Sequence, residues 1–580
     1  MITFRRKHPC HPHHDAAYNG GPVRLEGAYK EMLETGRNRL VLCAALFAIA
    51  FAALSLRLVD VTVISQPREP QLDRADRPVS LPLERADILD RNGVLLATSL
   101  TTASLYADPK EVRDPEAAAR QLVTVLPELK TAEVVGKLRS ERRFVWLQRS
   151  LTPRQEYEVN RLGIPGFYFQ REDRRVYPHG VLTAHVVGFT NVDNHGMAGI
   201  ERHFEDTLSK GSTPLVLSLD LRIQHVLREE LLDGMREFRA HAAGGVVLDA
   251  RTGEVLALVS LPDFDANKAA EASDDARFNR VTLGVYEMGS IFKVFTAAMA
   301  LETGTSKLTS SYDATQPLHI ARFTIEDYHA KRRWLTVPEI FMYSSNIGAA
   351  RMALEVGGAV QERFLQRLGL LSPSKIELGE TGTPEYPALW RPINTMTIAF
   401  GHGVSVEPLQ VAASTAAVVD GGILHDPTLL KRRAGEGASG ARVISERTSD
   451  EMRRLMRLVV TDGTAKEGAI PGYLLGGKTG TAEKAVRHGY AKKELLSSFV
   501  GAFPITKPKY IVLAFFDEPH GTAKTHGYAT GGWTAVPVVN RVVQRIAPIL
   551  GVMPVDEKDP DVEKALWVQI NPQERKLALN

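Results

Sequence analysis

The hydrophobic pattern of the chain begins with one long apolar run, Leu40–Leu56, whose seventeen positions contain no charged residue. As a helix this run is about 25 Å long, which approaches the thickness of about 30 Å of a bilayer hydrocarbon core. Five further apolar residues extend the run, namely Leu58, Val59, Val61, Val63 and Ile64, although Arg57 and Asp60 interrupt it. It is apolar on every face, whereas a buried core helix would be apolar along one stripe. The pattern therefore predicts a transmembrane anchor over residues 40–60.

The charges around this run predict its direction in the membrane. Residues 1–39 contain seven Lys or Arg and four Asp or Glu, so this tail accounts for the net charge of +3 of the whole chain. The positive-inside rule then predicts a cytoplasmic N-terminus and a single span, with residues from about 65 onward outside the cytoplasm. A cleaved signal peptide is the alternative, since Ala50-Phe51-Ala52 fits the cleavage pattern, but the leader is long and the apolar run continues past this site. The body has no net charge, which argues against nucleic acid as a partner.

The cysteines and the histidine-rich tail predict neither a disulfide framework nor a metal site. Cys10 and Cys43 both lie near the N-terminus, so no disulfide framework can stabilise the body. The stretch His8–His14 has metal-binding residue types, but no following element would fix their geometry, and a solvated tail is the better interpretation. We predict no metal site.

Short strand-like and charged helical patterns alternate between residues 61 and 215. A polar linker over residues 65–80 comes first, and the segment 85–97 then gives two short strand patterns around an Asn92-Gly93 turn. No cluster of catalytic residue types appears in this region. It is predicted to be an elongated mixed α/β pedestal domain that acts as a spacer or docking surface.

The pattern changes from about residue 216. Two hairpins, one near residues 245–259 and one near residues 498–516, lie at the two ends of a region that is otherwise mostly helical. This order predicts an antiparallel sheet built from both ends of a domain over residues 216–553, with a helical region inserted between them. Residues 554–580 are charged and are predicted to be a peripheral tail. The fold class is multidomain α+β.

Ser290 and Lys293 open an apolar helical run. Two residues three apart on a helix share a face, so the lysine nitrogen can reach the serine hydroxyl. A serine hydroxyl is a weak nucleophile that needs an adjacent base, and a lysine can serve only if burial and a neighbouring positive charge lower its pKa. Lys478 could supply that charge. Alone, Ser-x-x-Lys is a chance motif on a helix surface.

Two further motifs make this pair informative. Ser344-Ser345-Asn346 follows about fifty residues later, and Lys478-Thr479-Gly480-Thr481 comes just before the late hairpin. Each alone has an ordinary explanation as a helix cap or a strand turn. Together, in this order and at domain-scale separations, the three motifs form a specific combination that separate chance matches do not explain.

The set resembles the penicillin-binding protein and serine β-lactamase superfamily, which uses Ser-x-x-Lys, Ser-x-Asn and Lys-Thr-Gly. The resemblance runs from about residue 80 to about residue 545, and further segments are similar to the class B, membrane-anchored penicillin-binding proteins. These segments are Asp87–Gly93, Arg175–Gly180, Gly188–Asn191, Gly199–Glu201, Leu219–Gln224 and Ala399–Gly403. Gly188–Glu201 and Thr530–Trp533 further resemble the cell-division transpeptidases of that class. Ala86, where glycine is usual, and Met288, where proline is common, depart from the pattern and bear on the subfamily rather than the chemistry.

The resemblance implies a role for each matched residue. Ser290 attacks the D-Ala-D-Ala carbonyl of a peptidoglycan stem peptide, and Lys293 is the base. Ser344 relays the proton toward the leaving amine, Asn346 orients the donor amide, and Lys478 supports the electrostatics of the site.

The strand residues complete the implied site. Thr479, Gly480 and Thr481 bind the substrate, with the two threonines holding its terminal carboxylate. The backbone N–H groups of Ser290 and Thr481 form the oxyanion hole. The resemblance implies no metal and no cofactor, and it implies an antiparallel sheet flanked by helices with a helical subdomain.

The resemblance also implies partners. They are the donor and acceptor stem peptides, β-lactam antibiotics as inhibitors, a membrane glycosyltransferase of the SEDS family and other division proteins. An elongation-type transpeptidase, a D,D-carboxypeptidase or β-lactamase that lets water take the acyl group, and a catalytically idle scaffold or β-lactam sensor are the alternatives.

Overall fold

The computed structural model describes residues 41, 43–57, 85–211, 213–320, 323–433, 438–486 and 489–570. The predicted tail over residues 1–39, the linker over residues 65–80 and part of the predicted anchor lie outside the described residues. The chain divides into two compact units, Met1–Pro82 and Leu83–Asn580.

The described part of the first unit is helical over residues 43–57 (α1). Within the residues that the structure describes, no helix has both the length and the apolar character that crossing a membrane requires.

The second unit begins with the pedestal. Its elements are β1 (Ile88–Leu89), β2 (Leu95–Ala107), α2 (Pro115–Val125), α3 (Thr131–Leu138), β3 (Val145–Leu151), α4 (Pro153–Arg161), β4 (Phe167–Val176), α5 (Gly180–Val187), β5 (Phe189–Thr190), β6 (Gly196–Ala198), α6 (Gly199–His203), α7 (Glu205–Lys210) and β7 (Leu215–Val216). The sheet order is β3-β2-β1-β7, with β4 also paired to β2. β1 and β2 are antiparallel, and the predicted Asn92-Gly93 turn between them is confirmed: Gly93 has φ +85°, and Asp90 Oδ1 accepts hydrogen bonds from the N–H groups of Asn92 and Val94.

A buried ionic cluster joins distant segments of the pedestal. Glu201 is fully buried, and its two carboxylate oxygens accept hydrogen bonds from Arg85 Nε at 2.6 Å and Arg175 Nε at 2.7 Å. Arg175 also donates to the carbonyl of Ala86 at 2.8 Å. A buried carboxylate is tolerated because two guanidinium groups satisfy it. We call Arg85, Arg175 and Glu201 the pedestal clasp.

The remaining elements form the second domain. They are α8 (Leu221–Glu237), β8 (Ala242–Asp249), β9 (Val255–Leu261), α9 (Asp274–Arg277), α10 (Lys293–Glu302), β10 (Ser311–Asp313), β11 (Leu318–Ile320), β12 (Phe323–Ile325), β13 (Trp334–Thr336), α11 (Val337–Tyr343), α12 (Asn346–Val356), α13 (Gly358–Arg367), α14 (Pro392–Ile398), α15 (Pro408–Val419), β14 (Ile423–Leu424), β15 (Ala441–Arg442), α16 (Glu446–Thr461), β16 (Gly476–Val486), β17 (Gly489–Phe503), β18 (Tyr510–Asp517), α17 (Ala535–Ile549) and α18 (Pro560–Leu566).

The central sheet has the order β16-β17-β18-β8-β9, and every neighbouring pair is antiparallel. The predicted sheet built from both ends of the domain is therefore confirmed. Successive strand residues point to opposite faces. Accordingly Phe516 contacts Phe238 at the end of α8 (ring centroids 5.8 Å apart), whereas Phe515 contacts Tyr286, just before Ser290 (5.4 Å). One face thus packs on helix α8 and the other supports the nucleophile segment.

The end of the chain packs against the same domain. Val568 and Ile570 belong to a buried cluster with Met342 and Leu458. Arg457 of α16 forms an ion pair with Glu557 at 2.9 Å. Residues up to 570 of the predicted tail therefore lie against α11 and α16, because their apolar side chains cover an apolar surface there.

Candidate active site

The nucleophile segment is brought to the sheet by glycines. Gly289 has φ +55° and begins a 3-10 turn, Gly289–Phe292, that leads into α10. A Cβ on Gly289 would lie 2.6 Å from the carbonyl oxygen of Thr481, and a Cβ on Gly401 would collide with the carbonyl of Gly289. Three backbone segments therefore meet without side chains between them. This contact sets Ser290 beside strand β16.

A second segment reaches the same place through an unusual turn. Helix α11 starts with a capping box, in which Thr336 and Glu339 satisfy each other's backbone N–H groups. It ends at Ser344, which has φ +59° in the left-handed region, and Ser345 then caps α12. A serine in this region carries backbone strain, which proteins retain mainly at functional sites. The turn directs the Ser344 hydroxyl toward the lysines.

The predicted catalytic side chains form one hydrogen-bonded group. Lys293 Nζ lies 2.7 Å from Ser290 Oγ, 2.7 Å from Asn346 Oδ1 and 3.2 Å from Ser344 Oγ. Lys478 Nζ lies 3.0 Å from the same Ser344 Oγ. The Ser344 hydroxyl therefore bridges the two lysines, and all three sequence motifs converge on one point.

Burial changes the charge states of the two lysines. Lys293 is 2% exposed and Lys478 is fully buried. Burial, followed by the positive charge of Lys478, holds the pKa of Lys293 well below its usual value, although Asp327 acts in the opposite direction. Burial lowers the pKa of Lys478 to about 7. Burial and Lys478 thus act on the pKa of Lys293 in the expected direction, and the neutral form of Lys293 can accept the proton of Ser290.

Strand β16 forms the opposite wall. A Cβ at Gly480 would collide with Ser498 Oγ, so glycine is required for β16 to lie this close. Thr481 Oγ1 donates to the Gly480 carbonyl at 2.8 Å and accepts from the N–H of Gly531 at 3.1 Å. The hydroxyls of Thr479 and Thr464 lie 2.7 Å apart. The contact of Gly289 with Thr481 also brings the two predicted oxyanion donors, the N–H groups of Ser290 and Thr481, onto adjacent segments.

Sequence reasoning missed Thr464 and Asp327, and it included Gly531 in the Thr530–Trp533 segment without giving it a role at the site. Thr464 and Gly531 contact the Lys-Thr-Gly strand from loops far along the chain. Asp327 accepts hydrogen bonds from Ser345 Oγ at 2.7 Å and from the N–H of Ile347 at 2.9 Å. These contacts are non-local and follow no spacing rule. Two sequence signals could have drawn attention to this wall, namely the Thr530–Trp533 segment and the Thr461-Asp462-Gly463-Thr464 turn after α16.

Glu287 and His402 form a second layer behind the nucleophile. Glu287 Oε1 accepts a hydrogen bond from the N–H of Gly403 at 2.8 Å, and Glu287 Oε2 lies 3.6 Å from His402 Nδ1. Burial and the nearby Lys293 lower the pKa of His402 to about 4, so this imidazole is neutral at physiological pH. The Ala399–Gly403 loop is thereby fastened to the nucleophile segment without adding a positive charge beside Lys293.

In the part of the chain that the structure describes, no three His, Cys, Asp or Glu side chains are grouped as metal ligands.

Comparisons with known proteins agree with the geometry. Residues 243–544 match the model of the penicillin binding protein transpeptidase domain, and residues 80–213 match that of the penicillin-binding protein dimerisation domain. A protein of Caulobacter vibrioides named probable peptidoglycan D,D-transpeptidase FtsI is 40% identical over 482 residues, covering 81% of this chain and 82% of its own. The probable peptidoglycan D,D-transpeptidase PenA of Neisseria meningitidis is 34% identical over 564 residues, covering 91% of this chain and 95% of its own.

Among solved structures, penicillin binding protein 3 of Mycobacterium tuberculosis in complex with aztreonam has a TM-score of 0.66 at 22% identity. The match covers 84% of this chain and 99% of that one. At this identity the likeness concerns the fold alone, and it extends over both the pedestal and the second domain.

Proposed function

The chain belongs to the class B penicillin-binding proteins, which join a dimerisation domain to a transpeptidase domain, and from this premise we propose that it is a peptidoglycan D,D-transpeptidase acting through an acyl-enzyme on Ser290. The observation that carries the proposal is the contact of Ser290 Oγ with a buried Lys293 Nζ at 2.7 Å. A serine next to a lysine of lowered pKa is an activated nucleophile. The similarity to relatives that are named D,D-transpeptidases supports the assignment of the substrate as a stem peptide that ends in D-Ala-D-Ala.

In the first half-reaction, Ser290 Oγ bonds to the penultimate D-alanine carbonyl carbon and its proton passes to Lys293 Nζ. The N–H groups of Ser290 and Thr481 stabilise the oxyanion. The tetrahedral intermediate then breaks its C–N bond, and the departing D-alanine nitrogen gains a proton through Ser344, whose hydroxyl contacts both lysines. With a pKa of about 7, Lys478 can give a proton to Ser344 and take it back.

In the second half-reaction, the amine of a neighbouring stem attacks the ester carbonyl. The amine loses a proton through the same Ser344 and Lys293 groups, the ester C–O bond breaks, and Ser290 Oγ regains its proton. Before acylation, Thr479 and Thr481 hold the terminal carboxylate of the donor, which then leaves with the last D-alanine, and Asn346 orients the donor amide. A β-lactam enters the same first step, but its leaving nitrogen stays tethered.

Penicillin labelling tests the nucleophile directly. Mass spectrometry of the protein after penicillin treatment is expected to find one adduct on the peptide that contains Ser290, and none in Ser290→Ala. Ser345→Ala is the matched control, because it removes a neighbouring hydroxyl that caps α12. An adduct that persists in Ser290→Ala would refute the assignment.

The setting of the enzyme is a further part of the proposal. We infer that residues 40–60 anchor the chain in the inner membrane with the catalytic domain in the periplasm, from the apolar run and the basic tail before it. A reporter that is active only in the periplasm is expected to work when fused after residue 70 and to fail when fused before residue 38. The reverse pattern would contradict the orientation.

The likeness to proteins named FtsI supports a role at the division septum, together with other division proteins. The proposed enzyme polymerises no glycan, so it receives strands from a membrane glycosyltransferase, for which we infer a SEDS-family partner. Depletion is expected to leave elongated cells with unfinished septa. Rounded cells that still divide would place the enzyme in lateral wall synthesis instead.

A further inference from the structure

The turn that carries the second catalytic motif is held from outside by two residues that follow strand β12. The Glu326 carbonyl accepts a hydrogen bond from Asn346 Nδ2 at 2.9 Å. Asp327 Oδ2 accepts one from Ser345 Oγ at 2.7 Å, and Asp327 Oδ1 accepts one from the N–H of Ile347 at 2.9 Å. The two residues therefore bind three consecutive residues of the turn.

The contact with Glu326 fixes which way the side-chain amide of Asn346 points. Asn346 Oδ1 accepts a hydrogen bond from Lys293 Nζ at 2.7 Å, while Asn346 Nδ2 donates to the Glu326 carbonyl. A side-chain amide has one acceptor atom and one donor atom. A rotated amide would place its nitrogen against the lysine and its oxygen against the carbonyl, so only the observed orientation satisfies both neighbours.

Asp327 supports the strained residue that precedes Asn346 by two positions. Ser344 has φ +59°, in the left-handed region. The hydroxyl of the next residue, Ser345, donates to Asp327 and accepts a hydrogen bond from the N–H of Gly348 at 3.0 Å, so its orientation is fixed from both sides. A fixed Ser345 helps to keep Ser344 in the conformation that places its hydroxyl between the two catalytic lysines.

Asp327 also adds a negative charge close to a cluster of cations. Lys478 of β16 and Asp327 act on the pKa of Lys293 in opposite directions, Lys478 lowering it and Asp327 raising it. His402, in the loop after α14, is neutral at physiological pH because its pKa is lowered to about 4. Glu287, before the nucleophile turn, has its carboxylate 3.6 Å from that imidazole. Asp327 is thus the group that opposes the charge of Lys478 at Lys293.

We propose that Asp327 is a positioning residue of the active site, which holds the Ser344–Asn346 turn against the two lysines and offsets the positive charge that Lys478 exerts on Lys293. The inference rests on the proposed transpeptidase function and adds a residue that lies outside the three sequence motifs. The simpler alternative is that Asp327 only caps helix α12. A cap alone would affect stability and would leave the pH dependence of acylation as it is.

The test measures the rate of acylation by a fluorescent penicillin as a function of pH, with the full chain in detergent. Asp327→Asn keeps the shape of the side chain and an acceptor for the N–H of Ile347, but it removes the charge. Asp327→Ala removes the contacts as well, and Asp327→Glu restores the charge. The matched control is Asp313→Asn, because Asp313 Oδ1 accepts from the N–H and the hydroxyl of Thr315 in a similar way. Thermal melts at each pH show which variants are folded.

Loss of the negative charge makes the protonated form of Lys293 less stable, so its pKa falls and the base form persists to lower pH. In Asp327→Asn the acidic limb of the rate profile is therefore expected to move to lower pH by about half a unit to one unit. The limb is expected to stay in place in Asp327→Glu and in the control. Asp327→Ala is expected to show the same shift and to lose about 10- to 100-fold in maximal rate, the scale of one or two lost hydrogen bonds.

An acidic limb that stays in place in Asp327→Asn would overturn the inference, and so would a maximal rate of Asp327→Ala within about twofold of the parent. If Asp327→Ala does not fold, the limb of Asp327→Asn decides alone. In each of these cases the parent still forms its acyl-enzyme, so the transpeptidase proposal stands. A parent that forms no acyl-enzyme would overturn the proposed function, and the inference with it.

Discussion

The pedestal clasp and the catalytic lysines are two buried clusters of cations that the protein treats in opposite ways. In the clasp, Arg85 and Arg175 both bind the carboxylate of Glu201. Burial alone would lower the pKa of Arg85, but its hydrogen bonds and charge interactions with Glu205 and Glu201 raise it, so this guanidinium stays charged. Lys293 is instead surrounded by hydroxyl and amide oxygens at hydrogen-bonding distance and by the like charge of Lys478.

The different surroundings of the two clusters give the clasp a structural role and the lysines a chemical one. A buried cation with a carboxylate partner has a fixed charge and serves as a cross-link. A buried lysine beside another lysine has a labile proton and serves as an acid or a base. The following measurements test this contrast between the two clusters, in order of decreasing expected effect.

Removal of the base is expected to have the largest effect. Lys293→Ala should slow acylation by penicillin by about three orders of magnitude or more, because the proton acceptor of Ser290 is lost. Stopped-flow measurement with a fluorescent penicillin checks the rate, and a thermal melt checks that the variant is folded. Lys307→Ala, a change at an exposed lysine, is the control. Acylation within about tenfold of the parent would show that the proton leaves by another route.

Removal of the clasp carboxylate is expected to act on stability instead. Glu201→Gln leaves the buried Arg175 without its counter-charge and Arg85 with Glu205 as its remaining carboxylate partner, which should lower the free energy of unfolding by about 3–5 kcal/mol. Urea denaturation of the full chain gives this value. Glu133→Gln, which breaks the exposed pair of Glu133 with Lys137, should cost at most about 0.5 kcal/mol. Equal losses in the two variants would contradict the role assigned to the clasp.

The pH dependence of stability separates the two clusters further. The folded pKa of Lys478 is about 7, below its usual value of 10.5, so between these values the unfolded chain binds the extra proton. Stability should therefore rise with pH across this window, by at most about 1.4 kcal/mol per pH unit for one group, and Lys478 should contribute no such gain below pH 7. The slope is read as the difference between the parent and Lys478→Met, with urea midpoints measured from pH 7 to pH 10. Parallel curves would mean that Lys478 titrates normally.

The smallest effect is expected at the outer wall of the site. Thr464→Val removes the hydroxyl that contacts Thr479 but keeps the shape of the side chain. A single neutral hydrogen bond contributes about 0.5–1.5 kcal/mol, so acylation should slow by about three- to tenfold. Thr464→Ser should restore the rate. A full rate in the valine variant would show that Thr479 is positioned by its other neighbours.

The sequence predicted those features that depend on local pattern. The hairpins β8–β9 and β17–β18 were readable from strand periodicity, and the Ser290–Lys293 pair from helical spacing. The domain-scale order of the motifs was enough to expect that they converge.

The rest depends on tertiary contacts that leave no local trace. The residues near Ser344 contain no sequence signal for a left-handed conformation. The packing of α11 and α12, the helices on either side of it, imposes that conformation. Thr464 and Asp327 reach the site from other parts of the chain. The place of Ile570 in a buried cluster with Met342 could not be predicted from a charged segment, since only the tertiary fold shows which apolar surface is left for it to cover.

The meeting of the Gly289, Gly401 and Thr481 backbones also limits how this protein can change. A single methyl group at either glycine would push the nucleophile away from strand β16, and the same displacement would impair acylation by substrate and inhibitor alike. A substitution at these glycines is therefore not expected to reduce acylation by a β-lactam while it preserves transpeptidation of the natural peptide. Selection for resistance is expected to favour substitutions at the rim of the cleft, where the drug and the natural peptide differ in shape.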